Sequence, residues 1–223
     1  MRPDPMWFFC KDAGGLLEGP LGRFFRRWNV RSSRQYIIAS KLPLDEGGDS
    51  ADPASRRESY VSSLLPAPGV KTLVLYDVHF QSPREGLSAF REVRREPWYL
   101  SGGAIEELEE NVEARLSKAR ALGRLIRQER EPIVVAGDLN SPDASLACAT
   151  LRQAGLHDAF AQAGKGYGYT YGHFLLRRRL PWLAVPWVRI DHVMLSGYLT
   201  SRACWAGTED LSDHRPVIAD IAL

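Results

Sequence analysis

The sequence predicts a layered α/β protein, because apolar segments of strand length alternate with a long amphipathic segment of helical period. Residues 70–80 (VKTLVLYDVHF) form a nearly continuous apolar run, typical of a central strand covered on both faces. Residues 101–131 repeat apolar side chains every three or four positions, which indicates an amphipathic helix. Residues 132–137 (PIVVAG) then predict a second buried strand.

The elements before residue 70 have weaker patterns. The segment MWFFC is apolar and fits a short strand, and QYIIASKLPL (35–44) predicts a strand that Pro43 ends. Residues 45–59 are polar and contain Gly, Ser and Pro, which predicts a loop.

The long helix, a short helix and three strands make up the predicted C-terminal half of the chain. The apolar stripe of the long helix consists of Ile105, Leu108, Val112, Leu116, Ala119, Leu122 and Ile126. Residues 145–155 predict a short helix with Gly155 near its C-cap. Residues 187–197, 201–207 and 215–223 predict three further strands.

Composition bounds the class of protein. A chain of 223 residues that is 44% hydrophobic and 25% charged fits one globular domain. Its net charge of +2 gives no overall indication of nucleic-acid or membrane binding. Three widely spaced cysteines indicate neither a disulfide scaffold nor a zinc ribbon. Without an apolar run of spanning length or a secretory signal, we expect a cytoplasmic protein.

Polar residues lie within, directly after or just ahead of four of the predicted strand segments. They are Asp77 and His79, Asp138 and Asn140, Asp191 and His192, and Asp213 and His214. Each pair alone has an ordinary structural explanation, such as a turn or a hydrogen-bonded core histidine. A buried carboxylate is costly unless it is paired or binds a metal, so four such pairs together predict a site at one sheet edge.

The motifs GDLN, RIDHVMLS and SDHRPVIADI, in that order, resemble the last three motifs of the endonuclease/exonuclease/phosphatase superfamily. LYDVHFQSP resembles its central histidine strand, and YIIASKLPL the strand before it. The resemblance runs from about Gln35 to Leu223. It implies one domain over residues 1–223, a deoxyribonuclease-like α/β sandwich of two packed mixed β-sheets flanked by helices.

The resemblance also implies roles for individual residues in metal-dependent hydrolysis of a phosphate ester. His214 contacts the scissile phosphate as the acid–base group, and Asp191 holds its ring. Asp138 aligns and activates the attacking water, with Asn140 fixing the phosphate or the water. His79 donates to a phosphate oxygen. We expect Asp138 and Asn140 to lie on the same side of an extended strand end.

Metal binding is implied by the same resemblance, with Asp213, Asp138 and Asn140 as ligands. Oxygen donors without a Cys or His cluster favour Mg²⁺, with Mn²⁺ as a substitute, over zinc. His192 alternates to the face opposite Asp191, so we expect it to have a structural role.

Two family motifs are not found: the Asn of the first strand and the metal-binding Glu of the second. A fragment, a short variant completed by a second subunit and a non-catalytic relative all explain this. Absent strands leave a sheet edge unpaired, which predicts a homodimer through that edge.

The substrate is the least defined feature, because the fold alone does not select one. Arginines mix with aromatic residues in residues 22–28, 92–98 and 177–179, which suits a phosphate backbone. The apolar residues and tryptophans before Asp191 suit a lipid surface instead. The leading hypothesis is a DNA endonuclease. The alternatives are a phospholipid or inositol phosphate esterase and a binding remnant without turnover.

Overall fold

The computed structural model describes residues 7–10, 19–33, 35–51, 58–67, 70–83, 102–173, 185–197, 199–208 and 212–222. The elements in these ranges, in chain order, are β1 (Trp7–Cys10), α1 (Pro20–Phe24), β2 (Asn29–Ser33), β3 (Tyr36–Ser40), β4 (Asp45–Ala51), β5 (Glu58–Ala67), β6 (Val70–His79), α2 (Gly102–Gln128), β7 (Ile133–Asp138), α3 (Leu146–Gln153), β8 (Leu156–Asp158), α4 (Ala159–Ala163), β9 (Asp191–Ser196), β10 (Thr200–Ala206) and β11 (Val217–Ala222).

The largest sheet has six strands in the order β4-β5-β6-β7-β9-β8. β6 and β7 are parallel, and the other neighbours are antiparallel. Residues 73–78 of β6 are all buried. The prediction of a central strand covered on both faces is therefore confirmed.

Alternating side chains of the central strands enter two separate cores. Leu75 of β6 and Leu195 of β9 pack with β3 and Cys204 of β10, from two smaller sheets of order β1-β3-β2 and β10-β11. Val74 and Met194 point the other way and pack with α2 and α3. The protein is thus an α/β sandwich with helices on its outer face, as the resemblance implies, and within the described ranges its second layer consists of two small antiparallel sheets rather than one mixed sheet.

The apolar stripe predicted for α2 is only half correct. Ala119, Leu122 and Ile126 are buried, whereas Ile105 and Val112 are 51% and 44% exposed. In the first half of α2, the polar Asn111 is buried instead, and its Nδ2 donates to the Ser82 carbonyl that follows β6. Across the described ranges, no helix is both long enough and apolar enough to cross a membrane.

The loop predicted for residues 45–59 is wrong for residues 45–51 and 58–59, and residues 52–57 lie outside the described ranges. Asp45–Ala51 pairs as β4 with Glu58–Ala67, the strand β5, which pairs with β6 on its other side. β4 is an edge strand of its sheet, where a polar, glycine-rich sequence is tolerated because pairing is needed on one side only. Its backbone hydrogen bonds come from β5, which a local sequence pattern does not reveal.

Both smaller sheets have open edges. Within the described part of the chain, β1 and β2 pair only with β3, and β10 and β11 only with each other. The homodimer predicted through a sheet edge is not tested by these pairings and stays a prediction.

Gly137 is required by the close approach of β6. Its φ is +137°, and an added Cβ would overlap the carbonyl oxygen of Val78. We expect Gly137→Ala to destabilise the fold by about 2–4 kcal/mol, because steric overlap adds to backbone strain. Chemical denaturation measures this, with Gly103→Ala as control. Nothing lies within 4 Å of a Cβ at Gly103, so its substitution should change stability by less than about 1 kcal/mol. Equal effects of the two substitutions would contradict the steric argument.

Candidate active site

Strand register brings three of the predicted site residues into one row. His79 is the register partner of Asp138 across β6 and β7, and Asp138 is the partner of Asp191 across β7 and β9. The row therefore lies where β6 and β7 end and β9 begins. Adjacent strands are about 4.8 Å apart, so the three side chains are neighbours.

His214 joins the row from outside the sheet. Its Nδ1 lies 2.8 Å from Oδ2 of Asp191, so the ring nitrogen donates to that carboxylate. The Tyr171 ring packs on the imidazole with centroids 4.8 Å apart, and the backbone N–H of Arg215 donates to Thr170. Thr170 Oγ1 also accepts from the backbone N–H of Asp191, so one buried threonine ties both segments together.

The ring of His79 is also fixed through its Nδ1, by a residue next to β3. Its Nδ1 lies 3.1 Å from Oε1 of Gln35, and Nε2 of Gln35 donates to the Tyr36 hydroxyl. Because the amide oxygen of Gln35 can only accept, Nδ1 of His79 carries the proton. Sequence reasoning missed the role of Gln35, which begins the predicted strand 35–44, directly precedes β3 and carries no motif.

Both imidazoles aim their Nε2 atoms at the same carboxylate oxygen. Oδ2 of Asp138 lies 3.8 Å from Nε2 of His214 and 4.0 Å from Nε2 of His79. These separations exceed hydrogen-bond length. The Asp138 side chain is 1% exposed, whereas the imidazoles of His214 and His79 are 15% and 21% exposed. The arrangement therefore presents acid–base groups at a partly open space above a buried carboxylate.

Asn140 does not continue the strand as expected. β7 ends at Asp138, and Asn140 adopts the left-handed region with φ 47°. Its backbone N–H donates to Oδ1 of Asp138 at 2.7 Å, and its Nδ2 donates to Oδ2 of Asp138 and to the Phe80 carbonyl. Asn140 thus holds the Asp138 carboxylate rather than lying parallel to it. Leu139, between them, is buried.

Oxygen donors suited to a hard cation lie in this site. One donor atom each from Asp138, Asp191 and His214 falls within 4.8 Å of the others. Asp191 Oδ2 and His214 Nδ1 are bonded to each other, and the Asp138 carboxylate is the buried member of this group. Asp213 is exposed and accepts from the Ser212 hydroxyl. Mg²⁺ commonly takes one or two carboxylates and fills its shell with water and substrate phosphate, so this donor set fits it.

A second charged cluster lies on the opposite face of β9. Asp158 accepts from Nη1 of Arg189 at 2.8 Å through both of its oxygens. Its Oδ2 also lies 2.8 Å from Nδ1 of His192, whose Nε2 lies 3.0 Å from the Ser141 carbonyl oxygen. His192 is 2% exposed, and Asp143 adds an ion pair to Arg189 at the rim. Charge pairing and Arg189 thus account for this cluster without a metal.

The pKa values in this cluster are shifted strongly. Burial alone raises the pKa of Asp158, but its hydrogen bond with His192 and the charges of His192 and Arg189 outweigh this and lower it from 3.8 to about 2. Burial lowers the pKa of His192, yet the contacts with Asp158 and Cys148 outweigh burial and raise it from 6.5 to about 9. His192 is therefore charged at neutral pH, and both ring nitrogens donate.

The fold and the site together define an α/β sandwich with imidazoles and carboxylates at a sheet edge, the groups that hydrolytic acid–base chemistry uses. Residues 65–214 match the Endonuclease/Exonuclease/phosphatase family, and the chain belongs to it. Members of this family are hydrolases that act on phosphoesters. No curated protein matches the chain.

Solved structures of the same fold resemble the chain at low identity. A 3'-5' exonuclease from Neisseria meningitidis is 17% identical, with a TM-score of 0.64 over 98% of this chain and 90% of that one. A Staphylococcus aureus beta toxin mutant with bound magnesium ions is 14% identical, with a TM-score of 0.62 over 97% and 86%. An endonuclease/exonuclease/phosphatase from Beutenbergia cavernae is 18% identical, with a TM-score of 0.62 over 98%. The chain spans 63% of that last protein's length.

Proposed function

We propose that this chain is a metal-dependent phosphodiesterase that cleaves DNA internally by in-line attack of water. The observation that carries the proposal is the convergence of two imidazole Nε2 atoms on one buried carboxylate, Asp138, each with its Nδ1 fixed by a partner. Fixed acid–base groups around a partly open space suit proton transfer to and from a phosphate ester.

Each residue has a role that its contacts support. Asp191 fixes the His214 ring through Nδ1, which leaves Nε2 to move a proton at the scissile phosphate. Asp138 orients the attacking water and accepts its proton. His79 donates from Nε2 to a phosphate oxygen when protonated. Because Nδ2 of Asn140 is engaged by Asp138 and Phe80, Asn140 acts by orienting Asp138.

The metal in this proposal is Mg²⁺, with Mn²⁺ as a substitute. Asp138 and Asp213 are the proposed carboxylate ligands, and Asn140, whose Nδ2 orients Asp138, is the proposed third ligand through its side-chain oxygen. A bound divalent ion would neutralise charge on the phosphate and the leaving oxygen. The magnesium in the beta toxin structure supports the choice of ion.

Exposed tyrosines beside the site support a nucleic-acid substrate. Tyr167 and Tyr169 stack with centroids 5.5 Å apart and planes at 13°, and they are 83% and 38% exposed. The same segment continues to Tyr171, which packs on His214. Nucleobases stack on such exposed rings in a sequence-tolerant way. The similarity to the Neisseria exonuclease supports the same choice.

The arginine–aromatic segment at residues 22–28 does not add support. It leads into β2 at Asn29, the register partner of Ser40, whereas Gln35 and His79 lie at the other end of this hairpin. Five strand residues separate the two ends by roughly 16 Å. The segments 92–98 and 177–179 lie outside the described residues.

The test is nicking of supercoiled plasmid with Mg²⁺ or Mn²⁺, beside an EDTA control. We expect nicking that needs the metal and is lost in Asp138→Ala and His214→Ala. Asp220→Ala, which removes an exposed carboxylate on β11, is the matched control and should retain activity. Intact plasmid in every lane would overturn the nuclease proposal.

A lipid phosphate ester is the second candidate. Val185 and Trp187 are 57% and 55% exposed, and the backbone N–H of Trp187 donates to Tyr171 beside His214. Exposed apolar groups next to the site suit contact with acyl chains. Release of a phosphorylated head group from vesicles, without plasmid nicking, would favour this candidate. If neither substrate is hydrolysed, with or without added metal, the result would favour a remnant without turnover.

A further inference from the structure

The turn that carries Asp138 and Asn140 has a constrained backbone. Among the described residues, Asn140 is the one non-glycine residue with positive φ. Non-glycine residues rarely adopt this backbone conformation, and the conformation persists only where surrounding contacts hold it. The contacts that hold this turn therefore determine where the Asp138 carboxylate points.

Two cationic side chains contact successive carbonyls of this turn. Nη1 of Arg115, from α2, lies 3.4 Å from the Asn140 carbonyl oxygen, near the limit of a hydrogen bond. Nε2 of His192, from β9, donates to the Ser141 carbonyl oxygen at 3.0 Å. The Cys148 thiol adds a weak contact to the same oxygen at 3.8 Å. The histidine is the stronger of the two cationic contacts.

The His192 ring is itself held in place by contacts on the face of β9 opposite the site. It pairs in register with Gly137, so its side chain lies on the face of β9 away from Asp191. Its Nδ1 donates to Oδ2 of Asp158, and Nη1 of Arg189 donates to the same oxygen, which brings these two nitrogens to 3.2 Å. Buried on that face, the imidazole has no route to a substrate at the site.

We propose that His192 is a positioning residue that holds the Asp138–Asn140 turn in its catalytic shape through the Ser141 carbonyl. This inference rests on the proposed hydrolytic function for its kinetic consequence, but its structural content stands without it. It assigns a role in the reaction to a buried charged cluster that touches no reacting atom.

The two amide side chains separate this role from general support of the fold. The nitrogen of asparagine occupies the position of Nδ1, so His192→Asn keeps the bond to Asp158 and loses the bond to Ser141. The nitrogen of glutamine occupies the position of Nε2, so His192→Gln does the reverse. Arg152→Gln is the matched control, because it removes a half-exposed ion pair to Asp143 on the same side of the sheet.

Kinetics on a phosphodiester substrate provide the first readout. We expect His192→Asn to lower kcat by about tenfold or more with KM within about twofold, because misplaced active groups act on the reaction step. His192→Gln should retain kcat within about threefold of the unchanged protein. Equal kcat losses in both variants, or losses that follow their melting temperatures, would overturn the proposal.

Backbone NMR provides a readout that needs no activity. The Asn140 and Ser141 amide resonances should shift, and their hydrogen-exchange protection should fall, in His192→Asn but not in His192→Gln or Arg152→Gln. Unmoved resonances in His192→Asn would overturn the proposal even if the protein proves to be an active phosphodiesterase. Moved resonances in a protein without turnover would overturn the proposed function alone.

If either variant does not fold, the hydrogen bond can be tested by NMR on the unsubstituted protein. The imidazole Nε2 proton of His192 should exchange slowly and show a nuclear Overhauser effect to the α proton of Ser141. A proton that exchanges freely would contradict the hydrogen bond on which the proposal depends.

Discussion

His214→Ala is expected to lower kcat by about 10²–10⁴-fold, or about 3–5 kcal/mol of transition-state stabilisation. The imidazole is the group whose Nε2 faces Asp138 across 3.8 Å while Asp191 fixes its Nδ1. In the proposed mechanism, the variant has no group at that position to exchange a proton with the phosphate. Steady-state kinetics at saturating Mg²⁺ measure the loss.

Asp191→Asn refines this result. The amide keeps the shape of the side chain but carries no charge, so the His214 ring loses its ionic partner. We expect a smaller loss of kcat than in His214→Ala, with a changed pH profile. Thermal unfolding checks that both variants fold. A His214→Ala enzyme with more than a tenth of the original kcat would contradict the assigned role.

The stability of the fold is expected to fall as pH rises from about 6.5 to about 9. The folded pKa of His192 is raised from 6.5 to about 9, so its contribution is fully present below 6.5 and is lost as pH passes the folded value. The loss is roughly 3 kcal/mol. Asp158 acts at the other end: its pKa is lowered from 3.8 to about 2, so its contribution is lost as pH falls through that range.

Urea denaturation at several pH values tests this dependence. His192→Gln should remove the decline between pH 6.5 and 9. Asp158→Ala should destabilise the protein by about 3–5 kcal/mol at pH 6, because the buried His192 and the partly buried Arg189 lose their shared partner and Arg189 keeps only Asp143 at the rim. Arg152→Gln, at a half-exposed pair, should change stability by less than about 1 kcal/mol. An alkaline decline that persists in His192→Gln would rule out His192 as its cause.

The sequence predicts the elements that carry their own signal. β6 and β7 are recognisable because their apolar runs are of strand length and rich in β-branched residues. β4 and β5 are not, because their pairing depends on a neighbour rather than on their own polar residues. The exposed Ile105 and Val112 show the same limit: helical period predicts one face, but not where a layer ends.

The site is predictable to the same extent. Polar residues that end apolar strands stand out, so Asp138 and Asp191 are found from local sequence. Gln35, Thr170 and Arg115 carry no such signal, because each acts through a partner 20 or more residues away. The left-handed Asn140 also departs from strand alternation, since its own side chain bonds Asp138. The catalytic and metal-binding roles of all these residues remain proposals.

Three residues of the site are register partners: His79, Asp138 and Asp191. The pairing of the strands therefore fixes the relative positions of their side chains. The long connection between β6 and β7 can gain or lose residues in evolution while these residue pairs stay aligned, because the pairing does not depend on the length of the connection. An insertion inside β7 is different, because one extra residue turns every later side chain to the opposite face. Insertions and deletions that change specificity are therefore expected in the connections between strands and not within the strands of the sheet.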